Sequence, residues 1–269
     1  MMNELFSLTG KTAIVTGALG LLGKQHCIAL SEAGANVIVA DIHTEKSKEF
    51  ADTLPQHSIG LSLDVTLEES VKTVRDIVLE SFGQIDILIN NAAVNDMVEN
   101  PIAGAESSMF ENYPLELWRK VMEVNVTGTF LCSKIFGSSM AQQGAGSIIN
   151  IASTYGVVAP DQSIYKLPDG TQAFFKSGVY PASKGAVISF TRFLAAYWGK
   201  KGVRVNALSP GGVENNQPLH FIENYSRKTP LGNMSQPTDY KGAIIFLASD
   251  ASRYMTGANL IVDGGWTAW

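Results

Sequence analysis

Short apolar segments rich in valine and isoleucine alternate along the chain with longer segments of helical periodicity. Each apolar segment is continuous rather than alternating with polar residues, which is typical of parallel strands buried on both faces. The predicted strands lie at 12–16, 36–40, 58–63, 85–90, 147–152, 203–208 and 259–263. The predicted helices lie near 21–33, 45–54, 67–82, 115–142, 179–200 and 237–249.

This strict alternation predicts an α/β fold with a doubly wound, seven-stranded parallel sheet and helices on both faces. The alternation continues without a break in mid-chain, so residues 1–269 are predicted to form a single domain. Two connections, 94–114 and 156–178, are long for such a fold and follow the carboxyl ends of strands, where ligands bind. The second carries a Pro-Asp-Gly turn signal between aromatic runs, which predicts an inserted β-hairpin near 156–178.

Charge and composition narrow the classes of partner. The chain has 269 residues, of which 45% are hydrophobic, and a net charge of −5. This balance argues against nucleic acid or an anionic membrane as the main partner. No apolar run approaches the roughly 20 residues that a membrane helix needs, and the start does not resemble a signal peptide. We therefore expect a soluble cytoplasmic protein.

Cysteine and histidine usage predicts no metal site and no disulfide. Cys27 and Cys132 both lie in apolar stretches that are predicted to be helical, so buried free thiols are expected. The four histidines show no spacing typical of metal ligands.

A glycine-rich turn follows the first predicted strand. The segment TGALGLLG (16–23) places Gly17, Gly20 and Gly23 between that strand and the next helix. Such a turn lets backbone N–H groups approach a pyrophosphate, and the helix N-terminus adds a favourable dipole. The pattern indicates a dinucleotide site.

Two acidic residues follow the next strands. Asp41 ends the second strand, 18 residues beyond Gly23, where a carboxylate binds the adenosine ribose hydroxyls and repels a 2′-phosphate. NAD is therefore favoured over NADP, unless Asp41 merely caps the helix that begins near Thr44. Asp64, after the third strand, has two compatible interpretations: a hydrogen bond to the adenine amino group, or a helix cap before Thr66.

Tyr180 and Lys184 have the spacing of an acid–base pair. Oxidising an alcohol needs a base for the hydroxyl proton, and a tyrosine with an ordinary pKa near 10 is a poor base at neutral pH. A lysine four residues later lies on the same helix face, and its charge favours tyrosinate. Taken alone, the same spacing also occurs as an ordinary surface pair.

Together these motifs resemble the classical short-chain dehydrogenase/reductase family over nearly the whole chain. The resemblance rests on TGALGLLG, the terminal Asp41, Asn90-Asn91-Ala92-Ala93, Asn125 in MEVNVTG, Ser153 in NIAST, Tyr180-Pro-Ala-Ser-Lys184 and Asn206-Ala-Leu-Ser-Pro210-Gly211. It implies a Rossmann fold with a cofactor half at about 1–150 and a catalytic and substrate half at about 151–269.

The resemblance also implies a catalytic tetrad of Asn125, Ser153, Tyr180 and Lys184. In the family, the lysine also binds the nicotinamide ribose, the serine hydrogen-bonds the substrate oxygen, and the asparagine holds a water that relays protons. The implied cofactor-binding set is Gly17, Leu19, Gly20, Leu21, Leu22, Gly23, Asp41, Asp64, Val65, Asn90, Ala92, Tyr180, Lys184, Pro210, Gly211, Val213 and Asn215.

The sequence departs from the family pattern in four places. Leu21 stands where the middle glycine usually falls, and Ala93 replaces the last glycine of the NNAG signature. Asn215 stands near the position of a frequent threonine. Ser153 and Tyr180 are 27 residues apart, about twice the usual separation, and the extra residues form the predicted hairpin.

The substrate is less constrained than the reaction. Polar amides, carboxylates and aromatic rings in 94–113, 156–178 and 212–230 favour a polyhydroxylated ligand over a steroid or fatty acyl chain, although the same groups also suit solvated loops. The insertion and the terminal DGGWTAW resemble a subgroup associated with bacterial surface-glycan and flagellin modification, which indicates a sugar or activated sugar.

The leading hypothesis is an NAD-dependent dehydrogenase or ketone reductase acting on a small molecule. The alternatives are a non-catalytic NAD sensor and an epimerase or dehydratase that uses NAD transiently. Members of the family are usually tetramers, so we expect a homo-oligomer, a tetramer or dimer, with dimer helices at 115–142 and 179–200. The tail residues Trp266 and Trp269 are expected either at a subunit interface or on the chain's own sheet.

Overall fold

A computed structural model describes residues 2–96 and 104–269, which are organised around one parallel sheet. The strands are β1 Thr12–Thr16, β2 Asn36–Asp41, β3 Ile59–Ser62, β4 Ile87–Asn90, β5 Gly146–Ile151, β6 Val203–Pro210 and β7 Asn259–Val262. Their order in the sheet is β3-β2-β1-β4-β5-β6-β7, and the pairings are parallel. The predicted single-domain, doubly wound Rossmann fold is confirmed.

The main helices lie where the periodicity predicts them. They are α1 Leu21–Glu32, α2 Thr44–Ala51, α3 Glu68–Phe82, the composite helix α4 described next, α5 Val179–Trp198, α6 Leu219–Ser226 and α7 Lys241–Ala248. Of these, α6 was not predicted; it is a short helix inside the connection 212–230. Shorter helices are Met2–Leu5 and Gly104–Ser108. Turns of 3₁₀ helix occur at Phe110–Asn112, Thr154–Gly156, Gln162–Tyr165, Gly199–Lys201, Pro237–Tyr240, Asp250–Ser252 and Trp266–Ala268.

Helix α4 is continuous but not uniformly α-helical. Its α-helical parts are Leu115–Met122, Thr129–Cys132 and Ser138–Gln143. Two π-helical turns, Glu123–Gly128 and Ser133–Gly137, connect them. Such π-turns inside helices occur frequently at functional sites.

Apolar layers cover both faces of the sheet. On one face, the alternate strand residues Ile14, Leu88 and Ile148 pack against α3, α4 and α5. On the other face, Val15 and Ile89 pack against α1 and α7. Because successive strand side chains point to opposite faces, a strand covered on both sides must be apolar at every position. This explains the continuous apolar segments of the sequence.

Both cysteines are buried free thiols, as predicted. Cys27 lies on α1 in one apolar layer, and Cys132 lies on α4 in the other. Burial raises the pKa of both thiols well above the ordinary value. Within 2–96 and 104–269, no helix is long and apolar enough to cross a membrane, and no cluster of histidine, cysteine or carboxylate side chains could hold a metal.

The prediction of a β-hairpin near 156–178 is wrong except for its turn, because the two strands do not form in this described segment. The segment contains one antiparallel bridge, Lys166 with Gln172, and the N–H of Leu167 donates to the carbonyl of Thr171 at 2.8 Å. No strand extends from this bridge in the described part of the segment. Instead, the Asp161 side chain accepts a hydrogen bond from the N–H of Ser163 and starts the 3₁₀ turn Gln162–Tyr165.

Aromatic packing is the physical reason for this difference. Ile164 and Tyr165 are buried in a third apolar cluster together with Tyr225 of α6, Met234 and Trp266. Burial of a large aromatic side chain outweighs the few hydrogen bonds of an exposed two-stranded ribbon. The insertion therefore folds as a compact cap on α6 and the C-terminal tail of the same chain.

The two tail tryptophans have different surroundings. Trp266 is 7% exposed and stacks on Tyr225 with ring centroids 4.3 Å apart, whereas Trp269 is 81% exposed. Trp266 thus packs on its own chain, as one of the two expectations proposed, but against α6 and the insertion rather than on the sheet. The first half of connection 94–114 includes residues 97–103, which lie outside the described residues. The division into a cofactor half and a catalytic half stays a prediction.

Replacing Trp266 by alanine is expected to lower the free energy of unfolding by about 3 to 5 kcal/mol, because it removes a buried indole from the third cluster. The matched variant Trp269→Ala, which removes an exposed indole, should stay within about 0.5 kcal/mol of the parent. Chemical denaturation measures both. Equal stability of the two variants would contradict the packing role of Trp266.

Candidate active site

The turn after β1 can be formed only by glycine at two of its positions. Gly17 has φ +60°, and a Cβ there would lie 2.7 Å from the Cα of Ala92. A Cβ on Gly23 would lie 2.3 Å from the carbonyl oxygen of Gly17. The backbone of the turn therefore packs closely on itself and on the segment after β4. Gly20 is the N-cap of α1, and glycine has no side chain that could bond the first N–H groups of the helix. Backbone N–H groups at this helix start are therefore available to an anion.

Thr16 and Asn91 hold this turn in place. The side-chain amide of Asn91 donates to the carbonyl oxygens of Thr16 and Gly17 at 3.0 and 2.9 Å. The Thr16 hydroxyl oxygen accepts from the N–H groups of Asn91 and Ala92, both at 3.0 Å. Asn91 was absent from the predicted site residues. Its signal was its place as the second asparagine of the NNAA motif, directly after a buried strand.

Asp41 lies beside the glycine turn. Its carboxylate accepts a hydrogen bond from the N–H of Leu19 at 3.1 Å, so the end of β2 and the turn after β1 are joined. The N-cap of α2 is His43, not Asp41. The alternative that Asp41 merely caps that helix is therefore not what the structure shows. Leu21, two residues after Leu19, and Ile42, which follows Asp41, are 42% and 64% exposed, and neither side chain is a cation.

Asp64 and Asn90 are engaged within the fold. One oxygen of Asp64 accepts from the N–H and the hydroxyl of Thr66 at 2.9 and 2.6 Å, which forms a local turn. The N-cap of α3 is Leu67, so Asp64 does not cap that helix. The Asn90 amide donates to the Ser133 hydroxyl at 3.0 Å and to the Asn150 side chain at 2.8 Å. Asn90 thus ties the sheet to a π-turn of α4. Neither contact tests the predicted role of these residues in binding cofactor. Val65, beside Asp64, is buried against Gly128 of α4.

Tyr180 and Lys184 lie on the first turns of α5. The Lys184 ammonium donates to the carbonyl oxygen of Ile151, at the end of β5, at 2.7 Å. It lies 5.8 Å from the centroid of the Tyr180 ring. Burial lowers the pKa of Lys184 to about 8. The lysine is thus held against the sheet and presents its positive charge toward the tyrosine, as the spacing predicts.

Ser153 follows β5 by two residues and is 9% exposed. Its hydroxyl oxygen accepts from the N–H of Tyr155 at 3.1 Å and caps the turn Thr154–Gly156. That turn touches α5, because a Cβ on Gly156 would lie 2.8 Å from the carbonyl carbon of Lys184. The turn that Ser153 caps therefore touches the helix of Tyr180 and Lys184 despite the 26 intervening residues, most of which form the cap described above.

Asn125 joins the fourth strand's connection to α5. Its side-chain oxygen accepts from the N–H of Val94 at 2.8 Å, and its amide donates to the Val94 carbonyl at 3.1 Å and to the Ser183 hydroxyl at 3.0 Å. The Ser183 hydroxyl in turn donates to the carbonyl of Tyr180 at 2.8 Å. The π-turn Glu123–Gly128 places this asparagine at 1% exposure between the two segments.

The residues after β6 lie at the same edge of the sheet as Ser153. The Thr154 hydroxyl donates to the carbonyl of Pro210 at 3.0 Å. A Cβ on Gly211 would lie 2.8 Å from the Cα of Asp263, so glycine is required there. Val213 pairs with Ser235, and Asn215 is exposed, with its N–H donating to the side chain of Gln217. The structure thus places Pro210 beside the turn that Ser153 caps, and Gly211 against Asp263, whereas Asn215 is exposed to solvent.

A cavity of about 280 Å³ adjoins the segment that leads into Tyr180. It is lined by Ser108, Met109, Phe110, Glu111, Tyr113, Gln162, Phe175, Lys176, Ser177 and Gly178. Beside it, the buried Asp96 carboxylate accepts from the hydroxyls of Tyr113 and Ser177 at 2.7 and 2.9 Å. Sequence reasoning missed Lys176 and Ser177, because their proximity to Asp96 depends on the path of the insertion.

A glycine turn that faces a carboxylate defines a dinucleotide-binding protein, and a tyrosine–lysine pair at the carboxyl edge of its sheet adds acid–base chemistry. The family model described as enoyl-(acyl carrier protein) reductase matches residues 17–267. The chain belongs to the short-chain dehydrogenase/reductase family, and it is an NAD(P)-dependent oxidoreductase that interconverts an alcohol and a ketone on a small molecule.

Three of the similar proteins are named for polyols or a sugar acid. The chain is 33% identical to an NAD-dependent glycerol dehydrogenase from Listeria innocua, with 97% of this chain and 96% of the relative covered. It is 36% identical to a galactitol 2-dehydrogenase (L-tagatose-forming) from Cereibacter sphaeroides, with 98% of each covered. The crystal structure of a gluconate 5-dehydrogenase from Burkholderia cenocepacia, in complex with NADP and tartrate, superposes with a TM-score of 0.86 at 28% identity and covers 100% of both chains.

These comparisons correct one expectation, on the subgroup, and identify the cofactor only as NAD(P). The resemblance to a surface-glycan and flagellin-modification subgroup is not supported. The cofactor is NAD(P), since one relative is named for NAD and the solved structure holds NADP.

Proposed function

We propose that the protein interconverts a secondary alcohol and a ketone on a polyol or sugar, with NAD as its cofactor and Tyr180 as the acid–base group. The observation that carries this proposal is the meeting of Tyr180 and Lys184 with Ser153 and Asn125 at one edge of the sheet. Three separate elements supply these residues: the turn after β5, a π-turn of α4 and the start of α5. The relatives named for glycerol, galactitol and gluconate support the substrate class.

Each member of the tetrad has a distinct role in this proposal. Tyr180 as tyrosinate takes the hydroxyl proton of the alcohol. When bound, the nicotinamide would accept the hydride from the carbon that bears this hydroxyl. Ser153 donates its hydroxyl hydrogen to the substrate oxygen and stabilises the charge that develops there. Lys184 favours tyrosinate through its charge. Asn125 fixes the backbone on both sides of this site through Val94 and Ser183.

The glycine turn fits a dinucleotide because Gly17 and Gly23 let the turn pack closely on itself and on the segment after β4, while the start of α1 carries no side-chain cap. Gly17, Gly20 and Gly23, with the adjacent Leu19, Leu21 and Leu22, would hold the pyrophosphate through backbone N–H groups. Asp41 would bind the adenosine ribose, and Asp64 with Val65 would lie at the adenine. Pro210, Gly211 and Val213 would lie beside the nicotinamide, with Asn90, Ala92 and Asn215 as further contacts.

The reaction is tested by following NADH formation with glycerol, galactitol, gluconate, free monosaccharides and simple secondary alcohols. We expect turnover with polyols or sugars, and NADH in a one-to-one ratio with ketone. Turnover confined to apolar alcohols would contradict the substrate class. Conversion of a sugar without net NADH would favour the epimerase or dehydratase alternative instead.

Asp41→Ala is expected to narrow the preference for NAD over NADP by about tenfold or more, because removal of the carboxylate abolishes its repulsion of a 2′-phosphate. The ratio of kcat/KM for the two cofactors measures this preference. Asp52→Ala, which removes an equally charged but exposed carboxylate at the end of α2, serves as the control. Unchanged selectivity in Asp41→Ala would refute the ribose assignment.

We also propose that the chain forms a homo-oligomer through α4 and α5. Phe130, Phe193 and Tyr197 on these helices are 44%, 59% and 60% exposed, and the Phe193 and Tyr197 rings stack 5.8 Å apart. An exposed aromatic strip of this kind is typical of subunit contacts. It supports the expectation of a dimer or tetramer, and light scattering on the purified chain counts the subunits.

A further inference from the structure

A second lysine flanks the acid–base tyrosine. The ammonium of Lys176, in the insertion before α5, lies 4.7 Å from the centroid of the Tyr180 ring, closer than the 5.8 Å of Lys184. Lys176 is only 7% exposed, although lysine is almost never buried to this extent without a partner. A buried cation over the face of an aromatic ring at this distance interacts strongly with that ring.

The fold holds Lys176 at three points. Its N–H donates to the side-chain oxygen of Gln162 at 2.8 Å, and the Gln162 amide donates back to the Lys176 carbonyl at 3.0 Å. Its ammonium donates to the side-chain oxygen of Asn95. Gln162 belongs to the 3₁₀ turn of the insertion, and Asn95 follows β4. The insertion thus delivers a positive charge to Tyr180 at a defined position.

We propose that Lys176 stabilises the tyrosinate form of Tyr180, so that two lysines on different segments, rather than Lys184 alone, determine the ionisation of the base. The proposal rests on the proposed role of Tyr180 as the acid–base group. Lys176 acts through Tyr180 and is therefore a positioning residue. An opposite charge within about 4 to 6 Å typically shifts a pKa by roughly one to three units toward the charged form.

The following ionisable groups, all in the described part of the chain, lie around Tyr180 and do not cancel this effect. Lys184 adds charge of the same sign from α5. Tyr155 and Tyr165, whose hydroxyls lie 3.2 Å apart, interact electrostatically with Tyr180, but burial raises the pKa of both, so they are neutral. Asp161, which faces those two tyrosines, is paired with Lys228.

Asp96 is the opposing charge. Its carboxylate is bonded to Tyr113 and Ser177 and raises the pKa of Lys176, whereas burial, the larger effect, lowers it to about 8. Lys176 therefore carries its charge below about pH 8, where a tyrosine without help would be neutral. Lys184 loses its proton in the same range. Below about pH 8 both lysines are therefore charged, and both ammonium groups favour the tyrosinate form of Tyr180.

Direct titration of Tyr180 tests the inference without any substrate. We would label the tyrosine ring Cζ with ¹³C in the full chain and identify the Tyr180 signal by its loss in Tyr180→Phe. Lys176→Met is expected to raise the apparent pKa of Tyr180 by about one unit or more. Lys176→Arg, which keeps the positive charge, should leave the apparent pKa of Tyr180 close to that of the parent. Lys166→Met, which removes an exposed lysine of the same insertion, should change nothing.

An unchanged Tyr180 titration in a folded Lys176→Met protein would overturn the inference, as would an equal shift in Lys166→Met. If Lys176→Met fails to fold, Lys176→Gln, which keeps a hydrogen-bond donor for Asn95, provides a second test. It removes the charge of Lys176 and should also raise the apparent pKa of Tyr180. An unchanged titration in Lys176→Gln would overturn the inference.

The titration separates this inference from the proposed function. A shift in Lys176→Met together with no turnover on any polyol or sugar contradicts the substrate class but supports the inference. Turnover on a polyol with no shift contradicts the inference alone. With an active substrate, the acidic limb of the kcat/KM profile should move upward in Lys176→Met by the same amount as the titration.

Discussion

Tyr180→Phe is expected to lower kcat by roughly 10²- to 10⁴-fold while NAD(P) binding stays within about threefold of the parent. The variant removes the hydroxyl that exchanges a proton with substrate and leaves the ring that packs at the start of α5. Its neighbours Lys184, bonded to the Ile151 carbonyl, and Ser153, bonded to the N–H of Tyr155, do not use that hydroxyl in these contacts. Steady-state kinetics and cofactor titration by fluorescence measure the two quantities separately.

A matched control comes from the same helix. Tyr197→Phe removes the hydroxyl of a 60% exposed tyrosine at the far end of α5 and should leave kcat unchanged. If Tyr180→Phe kept more than about a tenth of the parent's kcat, the proton transfer would belong to another group. If it lost cofactor binding as well, the effect would be on the site's shape rather than on acid–base chemistry.

Gly23→Ala is expected to weaken NAD(P) binding by about tenfold or more and to lower the thermal midpoint. The added methyl would lie 2.3 Å from the carbonyl oxygen of Gly17, 2.9 Å from the Cα of Ala18 and 2.9 Å from the Asn91 amide. Two of these three atoms are backbone, so the turn itself must shift, at a cost of roughly 1 to 3 kcal/mol. The shift moves the N–H groups that would hold the pyrophosphate.

Calorimetric titration with NAD and with NADP measures the loss, and Gly199→Ala is the control. Gly199 follows α5 at φ −52°, and no atom lies within 4 Å of the position its Cβ would take. This variant should keep both affinity and thermal midpoint. Cofactor affinity equal to the parent's in Gly23→Ala would mean that the dinucleotide does not bind at this turn.

The strands of the sheet could be predicted almost residue by residue. β1 was predicted at 12–16 and is Thr12–Thr16; β2 was predicted at 36–40 and is Asn36–Asp41. Strands buried on both faces must be apolar throughout, which makes them unambiguous in a sequence. The helices that cover them were also visible, because each has one apolar face with a period near 3.6 residues.

The short elements of the cleft were harder to predict. The segment around Pro168 and Gly170 has the signals of a hairpin, and the turn does form, with a single bridge between Lys166 and Gln172. Which way Tyr165 would face depended on partners more than 50 residues away, in α6 and at Trp266. α6 itself, eight residues long, gave no pattern distinct from a loop.

The candidate site residues divide in the same way. Gly17, Asp41, Tyr180 and Lys184 could be predicted because their proposed chemistry depends on spacing within one turn, one strand end or one helix face, and local geometry follows from local sequence. Asn91 and Lys176 were missed, because each contacts atoms that other elements supply. Asn91 donates to the carbonyl of Gly17. Lys176, which is held by Gln162 and Asn95, lies over the ring of Tyr180.

The sequence by itself therefore determined the parallel sheet, the glycine turn with its facing carboxylate, and the tyrosine–lysine pair, since these follow from apolar periodicity and short spacings along the chain. Only the tertiary structure decided how the insertion folds, which tryptophan is buried, and that a second ammonium reaches Tyr180. Those outcomes depend on which distant side chains meet, and long-range packing sets that geometry while leaving no periodic mark in the sequence.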